Sequence, residues 1–143
     1  MTTPTTSGLV VQNVFGDYAI DWASDALKMV LYGPAWDPTI AAGLAYSTTA
    51  EASGTAYVAG GQSVTQSVDY SDGITVSLSA NVVWSSSAIA NAAFAALRDT
   101  TVSDLLLAIW VLSSSLSNNS GNFTLDLADS PEPNTIFHIP GAS

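Results

Sequence analysis

His138 is the only histidine in this 143-residue chain and cysteine is absent, so nucleophilic and metal chemistry have few residues to work with. A Ser-His-Asp relay would have to run through His138, and no G-x-S-x-G elbow accompanies it. The simpler expectation is a partly buried or contact histidine near the C-terminus. Zinc needs three or four nitrogen, sulfur or oxygen ligands, which one histidine without cysteine does not supply. Asp17, Asp21 and Asp25, or Asp69 and Asp72, could offer oxygens to calcium. Neither set forms the D-x-D-x-D-G loop with its distal glutamate, and turn formation is the preferred role for both. Any two of the twelve acids could be imagined as a glycosidase pair, which leaves that signal without content. Gly60-Gly61 runs into Gln62-Ser-Val without a lysine, so it is not a phosphate loop. These residues point to a protein that is not an enzyme, with no catalytic residue, no metal and no cofactor.

Charge narrows the partners. Twelve acids face two bases, Lys28 and Arg98, for a formal net charge of −10. A protein that holds nucleic acid needs a basic footprint to displace counterions, so nucleic-acid binding is excluded as an expectation. The acids stand singly and form no acidic tail. Only 10% of residues are charged while 48% are apolar, and Ser and Thr fill most remaining polar positions. Charge depletion of this kind marks surfaces covered by partners, although a solvated hydroxyl surface gives the same composition. Trp84 and Trp110 lie in apolar segments and read as core. Trp22 and Trp36 lie in loops beside Asp21 and Asp37, where an aromatic ring serves a partner or plugs the end of a fold. The partner-contact candidates are Thr2, Pro4, Trp22, Trp36, Tyr46, Phe137 and His138.

These residues must be positioned by one domain, the natural reading of this length. Residues 1–7, Thr-rich with Pro4, read as an extended N-terminal arm, and 8–143 as a single domain. The start of the chain has neither a basic nor an apolar signal region, so synthesis in the cytoplasm is expected. Leu105 to Leu112 is too short to span a bilayer, giving no membrane role; it reads as the most buried strand. Strands are predicted over 8–15, 26–32, 62–69, 74–78, 82–84, 88–97, 105–112, 123–127 and 135–139. Residues 39–53 read as a long excursion loop and 113–122 as a polar loop. Ser71-Asp72-Gly73 between alternating runs is a hairpin signal. Ala88 to Leu97 is alanine-rich and has helical propensity, yet a strand is predicted there. Short strands punctuated by Gly, Pro and Asp-Gly predict an all-β antiparallel sandwich, of jelly-roll or Ig-like type.

The stretch EASGTAYVAGGQSV, residues 51–64, sets Gly54, Gly60 and Gly61 around Tyr57. Glycine supplies positive φ for turns, and the aromatic anchors the loop on a core. With Asp25 to Tyr32 upstream, and Asp72 to Leu78, Val83 to Ser87 and Gly121 to Leu125 downstream, the set resembles a family of small β-rich virion proteins of tailed bacteriophages. These are head decoration, head fibre or minor structural proteins, and the resemblance spans residues 17 to 139. The family pattern Gly-x-Gly-Tyr appears here as Gly54-Thr-Ala-Tyr57, without the second glycine. The resemblance also implies strand structure over 88–97. It further implies a non-enzymatic capsid decoration (cement) protein, bound to the major capsid protein on the outer surface of the assembled head and forming homo-oligomers. The alternative is a tail or fibre-associated module that recognises a host-surface glycan through exposed aromatics.

Overall fold

The computed structural model describes residues 3–5, 20–38, 45–127 and 134–141. Among the described residues the regular structure is twelve strands: β1 (Thr3–Thr5), β2 (Leu27–Tyr32), β3 (Ser53–Thr55), β4 (Gln62–Val64), β5 (Gln66–Asp69), β6 (Ile74–Leu78), β7 (Val82–Trp84), β8 (Ala88–Ala90), β9 (Ala92–Asp99), β10 (Leu105–Leu116), β11 (Phe123–Leu125) and β12 (Thr135–Ile139). Every strand pairing is antiparallel, and the described residues contain no helix. The all-β expectation therefore holds. A five-stranded sheet runs β1-β10-β9-β2-β4, a three-stranded one β12-β6-β5, and two pairs join β11 to β7 and β3 to β8.

The five-stranded sheet is buried on both faces at its centre. Leu27, Met29 and Leu31 of β2 join Ala95, Leu97, Leu107 and Trp110 in the main core. Val30 and Tyr32 of the same strand point the other way, onto Ala96, Leu106 and Ile109. A strand covered on two sides is apolar almost throughout, which is why LKMVLY alternates only weakly. The alanines of β9 have the same cause. Wedged between β10 and β2, this strand brings Ala92, Ala95 and Ala96 to zero exposure, where larger side chains would force the neighbours apart. Tertiary pairing overrides the helical propensity of the segment, and Asn91, at φ 54°, separates β8 from β9.

Several local expectations are revised. The predicted polar loop 113–122 begins later, because β10 continues to Leu116, which pairs with Ala92 beyond a register irregularity. Val82–Trp84 does not complete the Asp-Gly hairpin; it pairs with Phe123–Leu125 in a separate sheet. The hairpin itself forms as predicted, with Asp69 opposite Thr75. Thr75 and Ser77, the polar face of β6, are buried because β5 and β12 flank them and supply partners. Ser67 Oγ lies 3.2 Å from Ser77 Oγ, and His138 Nδ1 lies 2.8 Å from Thr75 Oγ1. Thr3–Thr5 runs along Ile109–Val111 as the edge strand of the large sheet. The expected strand at 8–15, Thr2, Asp17, the start of the excursion loop and the Pro131–Pro133 break lie outside the described residues.

The glycine run does shape the chain. At Gly61, φ is 89°, and a Cβ would be driven into the Met29 carbonyl across the β2–β4 pairing. Ala56, beside Tyr57, adopts a left-handed φ of 62° without being glycine. Gly61→Ala should therefore cost about 2–3 kcal/mol, combining left-handed strain with a clash against backbone. Gly121→Ala is the comparison, since φ is 90° there with nothing within 4 Å, and should cost about 1 kcal/mol. Urea midpoints of the two variants check the difference; equal losses would show that the approach of Met29 is unimportant.

Candidate functional site

The densest polar cluster gathers on Glu51, where the excursion loop returns to the end of β2. The loop is tied on both sides. Ala45 bridges Leu105, Tyr46 N–H donates to the Asp104 carbonyl at 2.7 Å, and Ala52 N–H donates to the Leu31 carbonyl at 2.8 Å. Glu51 pairs with Tyr32, and its side chain turns toward the glycine run. Oε1 accepts from Tyr57 Oη at 2.8 Å and from Gly60 N–H at 2.7 Å, while Oε2 accepts from Tyr46 Oη at 2.6 Å. Arg98, reaching from β9, donates to the Gly60 carbonyl at 3.0 Å. Its Nε and one terminal nitrogen donate to Asp104 Oδ1 at 3.0 and 2.6 Å, and its guanidinium lies 3.8 Å from the Tyr46 ring centroid.

Each part has a structural reason. β4 pairs with β2 only as far as Met29, because the Gly60-Gly61 turn carries the chain away. That leaves the Leu31 amide without a ladder partner. The Tyr57 hydroxyl accepts from it at 3.0 Å, and the Tyr57 ring stacks 6.2 Å from Trp84 in the core. A half-buried carboxylate with three donors is well solvated by the protein, and hydrogen bonds to an ionised acceptor are the strong kind. Burial, with the Glu51 carboxylate adding to it, holds the phenols of Tyr57 and Tyr46 above the ordinary tyrosine range. Both therefore remain protonated donors through neutral and mildly alkaline pH.

A second polar cluster joins the two ends of this sheet region. Asp99 is fully buried, and its Oδ1 accepts from the backbone N–H groups of Thr101 and Val102 at 2.8 and 3.0 Å. Its Oδ2 has no hydrogen-bond donor among the described residues, and Asp25 is its acidic neighbour. Burial raises Asp99 to about 6, with the Asp25 carboxyl adding to the rise and the backbone donors opposing it.

The sequence candidates fall in separate places. Tyr46 enters the Glu51 cluster. Trp36 stacks on Tyr32 at 4.1 Å and meets Phe94 edge-on at 5.4 Å, next to that cluster. Trp22 and Phe137 meet at 5.1 Å against the main core, and His138 turns to Thr75 on the opposite face of β12. Pro4 lies on the sheet edge opposite Trp110. Asp21 and Asp69 bond the backbone of their own turns, at Ala23 and Ser71. Among the described residues no three of His, Asp or Glu come together as a metal set. Glu51, Arg98 and Asp104 escaped sequence reasoning. A lone arginine within an apolar strand was the available signal, since such a charge requires a partner.

No family model matches the chain, and no curated protein or solved structure matches it either.

Glu51→Ala would strand the Tyr46, Tyr57 and Gly60 donors and should cost about 2–4 kcal/mol, whereas Glu51→Gln keeps an acceptor and should cost less than half of that. Chemical denaturation of both variants checks the order. Asp99 has a native pKa near 6 against 3.8 in the unfolded chain, so the native state binds the extra proton. Its contribution to stability is complete below 3.8 and is lost as pH rises through about 6. Asp99→Asn keeps the acceptor for Thr101 and Val102 and removes the charge. It should be more stable than the wild type by about 1–2 kcal/mol at pH 7, with the advantage vanishing toward pH 4. Denaturation midpoints across that range would show a constant difference if the acid pair were unimportant.

Proposed function

We propose that the protein is a non-enzymatic virion structural protein of a tailed bacteriophage, a decoration protein on the exterior of the assembled head. In this reading the sheets stack as an antiparallel sandwich of jelly-roll or Ig-like type, preceded by an extended arm. The partner is the major capsid protein, and the protein acts as a homo-oligomer on the outer capsid surface. The observation that carries the reading is the use made of its polar clusters. Glu51, Tyr46, Tyr57, Arg98 and Asp104 bond one another and the backbone of Leu31 and Gly60, which is the work of holding loops in place. The charge of −10 supports a position away from packaged DNA, and the resemblance of residues 17 to 139 supports the virion setting. Trp22 and Trp36 each give a ring contact to the protein interior, which weakens the glycan-platform alternative.

The mechanism is linkage. A protein that binds the expanded shell and not its precursor stabilises the expanded shell by mass action. Many weak contacts repeated over a lattice provide avidity without a strong single contact.

Recombinant protein added to undecorated expanded heads of the encoding phage should bind saturably and raise the temperature at which they release DNA. Precursor shells should bind it weakly. Recovery of the protein on tails, or equal binding to both shell forms, would overturn the proposal.

A further inference from the structure

One sheet face is covered along part of its length and open at its end. On the β5-β6-β12 sheet, Val68, Val76 and Phe137 stand on the same face and pack on the main core. The next positions on that face, moving toward the hairpin turn, are Tyr70, Ile74 and Ile139. They are 70%, 38% and 39% exposed, with Ile74 directly opposite Ile139. The turn at residues 20–23 forms the facing wall. Between that wall and the sheet lies a cavity of about 280 Å³, with Trp22, Val68, Tyr70 and Ile74 in its lining. Asp21 is at its rim, and the Asp72 turn stands between Tyr70 and Ile74. Hydrogen bonds from Ser24 and Ala23 hold the Asp21 carboxyl below the usual carboxylate range, so the rim carries negative charge at neutral pH.

We infer that this open end docks a segment of another protein that presents aliphatic side chains beside a lysine or arginine. The apolar strip accounts for the aliphatic part, and the acidic rim accounts for the base. Charge complementarity also selects the source. A second copy of this chain brings a charge of −10 and only two bases. Arg98 is already bonded to Asp104 and Gly60, which leaves Lys28, half-buried beside it on the neighbouring strand, as the other base.

The test uses the full-length protein and a fluorescent synthetic peptide alternating leucine and lysine, with a leucine–glutamate counterpart. Tyr70→Ser is the deciding variant, because it leaves net charge unchanged and alters a side chain that is mostly in solvent; a thermal melt confirms its fold. The leucine–lysine peptide should bind in the micromolar range, about tenfold more weakly to Tyr70→Ser and about threefold more weakly to Asp21→Asn. Asparagine preserves the acceptor for the Ala23 amide. Equal binding to wild type and Tyr70→Ser would reduce the attraction to net charge and overturn the inference. So would equal binding of the glutamate peptide, self-association abolished by Tyr70→Ser, or selective glycan binding lost in that variant.

Discussion

The Leu31 peptide group is the constraint on which the rest of the fold turns. It lies on the interior strand β2, fully buried, two residues beyond Met29, where the pairing with β4 ends. An amide in that position needs partners, because an unpaired buried donor or acceptor costs about 1–3 kcal/mol. The Tyr57 hydroxyl takes its N–H and the Ala52 amide takes its carbonyl. Both come from the stretch that follows Glu51, the residue immediately before Ala52. Its carboxylate fixes Tyr57, Tyr46 and Gly60 together, so the glycine turn, the loop and the end of the sheet form one unit.

From this unit the two cores follow. The Tyr57 ring lies on Trp84, which meets Phe123 edge-on at 5.8 Å and so ties the β7–β11 pair to the main core. Tyr46, under the Arg98 guanidinium, closes the smaller core around Val30, Tyr32 and Leu106. The single ion pair among the described residues, Arg98 with Asp104, thus sits where two layers meet, and its benefit is mainly positional because Asp104 is half exposed.

Much of the strand structure was legible because it rests on local signals. Asp72-Gly73 marks its hairpin, Leu105 to Leu112 is a buried strand by its apolar run, and Phe123 and Leu125 alternate with an exposed Thr124. What was not legible depends on neighbours distant in sequence. Nothing local tells that Val82–Trp84 pairs with Phe123–Leu125 instead of with the adjacent hairpin, or that Thr75 is buried against His138, 63 residues away. The Glu51 cluster was half legible. Tyr57 reads as an anchor from its glycine neighbours, but its acceptor and the role of Arg98 appear only once β9 lies beside β2.

Pro4 lies within the outermost strand of the large sheet, opposite Trp110. A proline tolerated in a ladder carries its missing N–H on the outward side. The free rim of that sheet therefore lacks a donor at the middle of a three-residue strand, where an incoming chain would need one to continue the ladder. Together with the net charge of −10, which keeps copies apart, a rim short of a donor guards against fibrous growth when many molecules are crowded together.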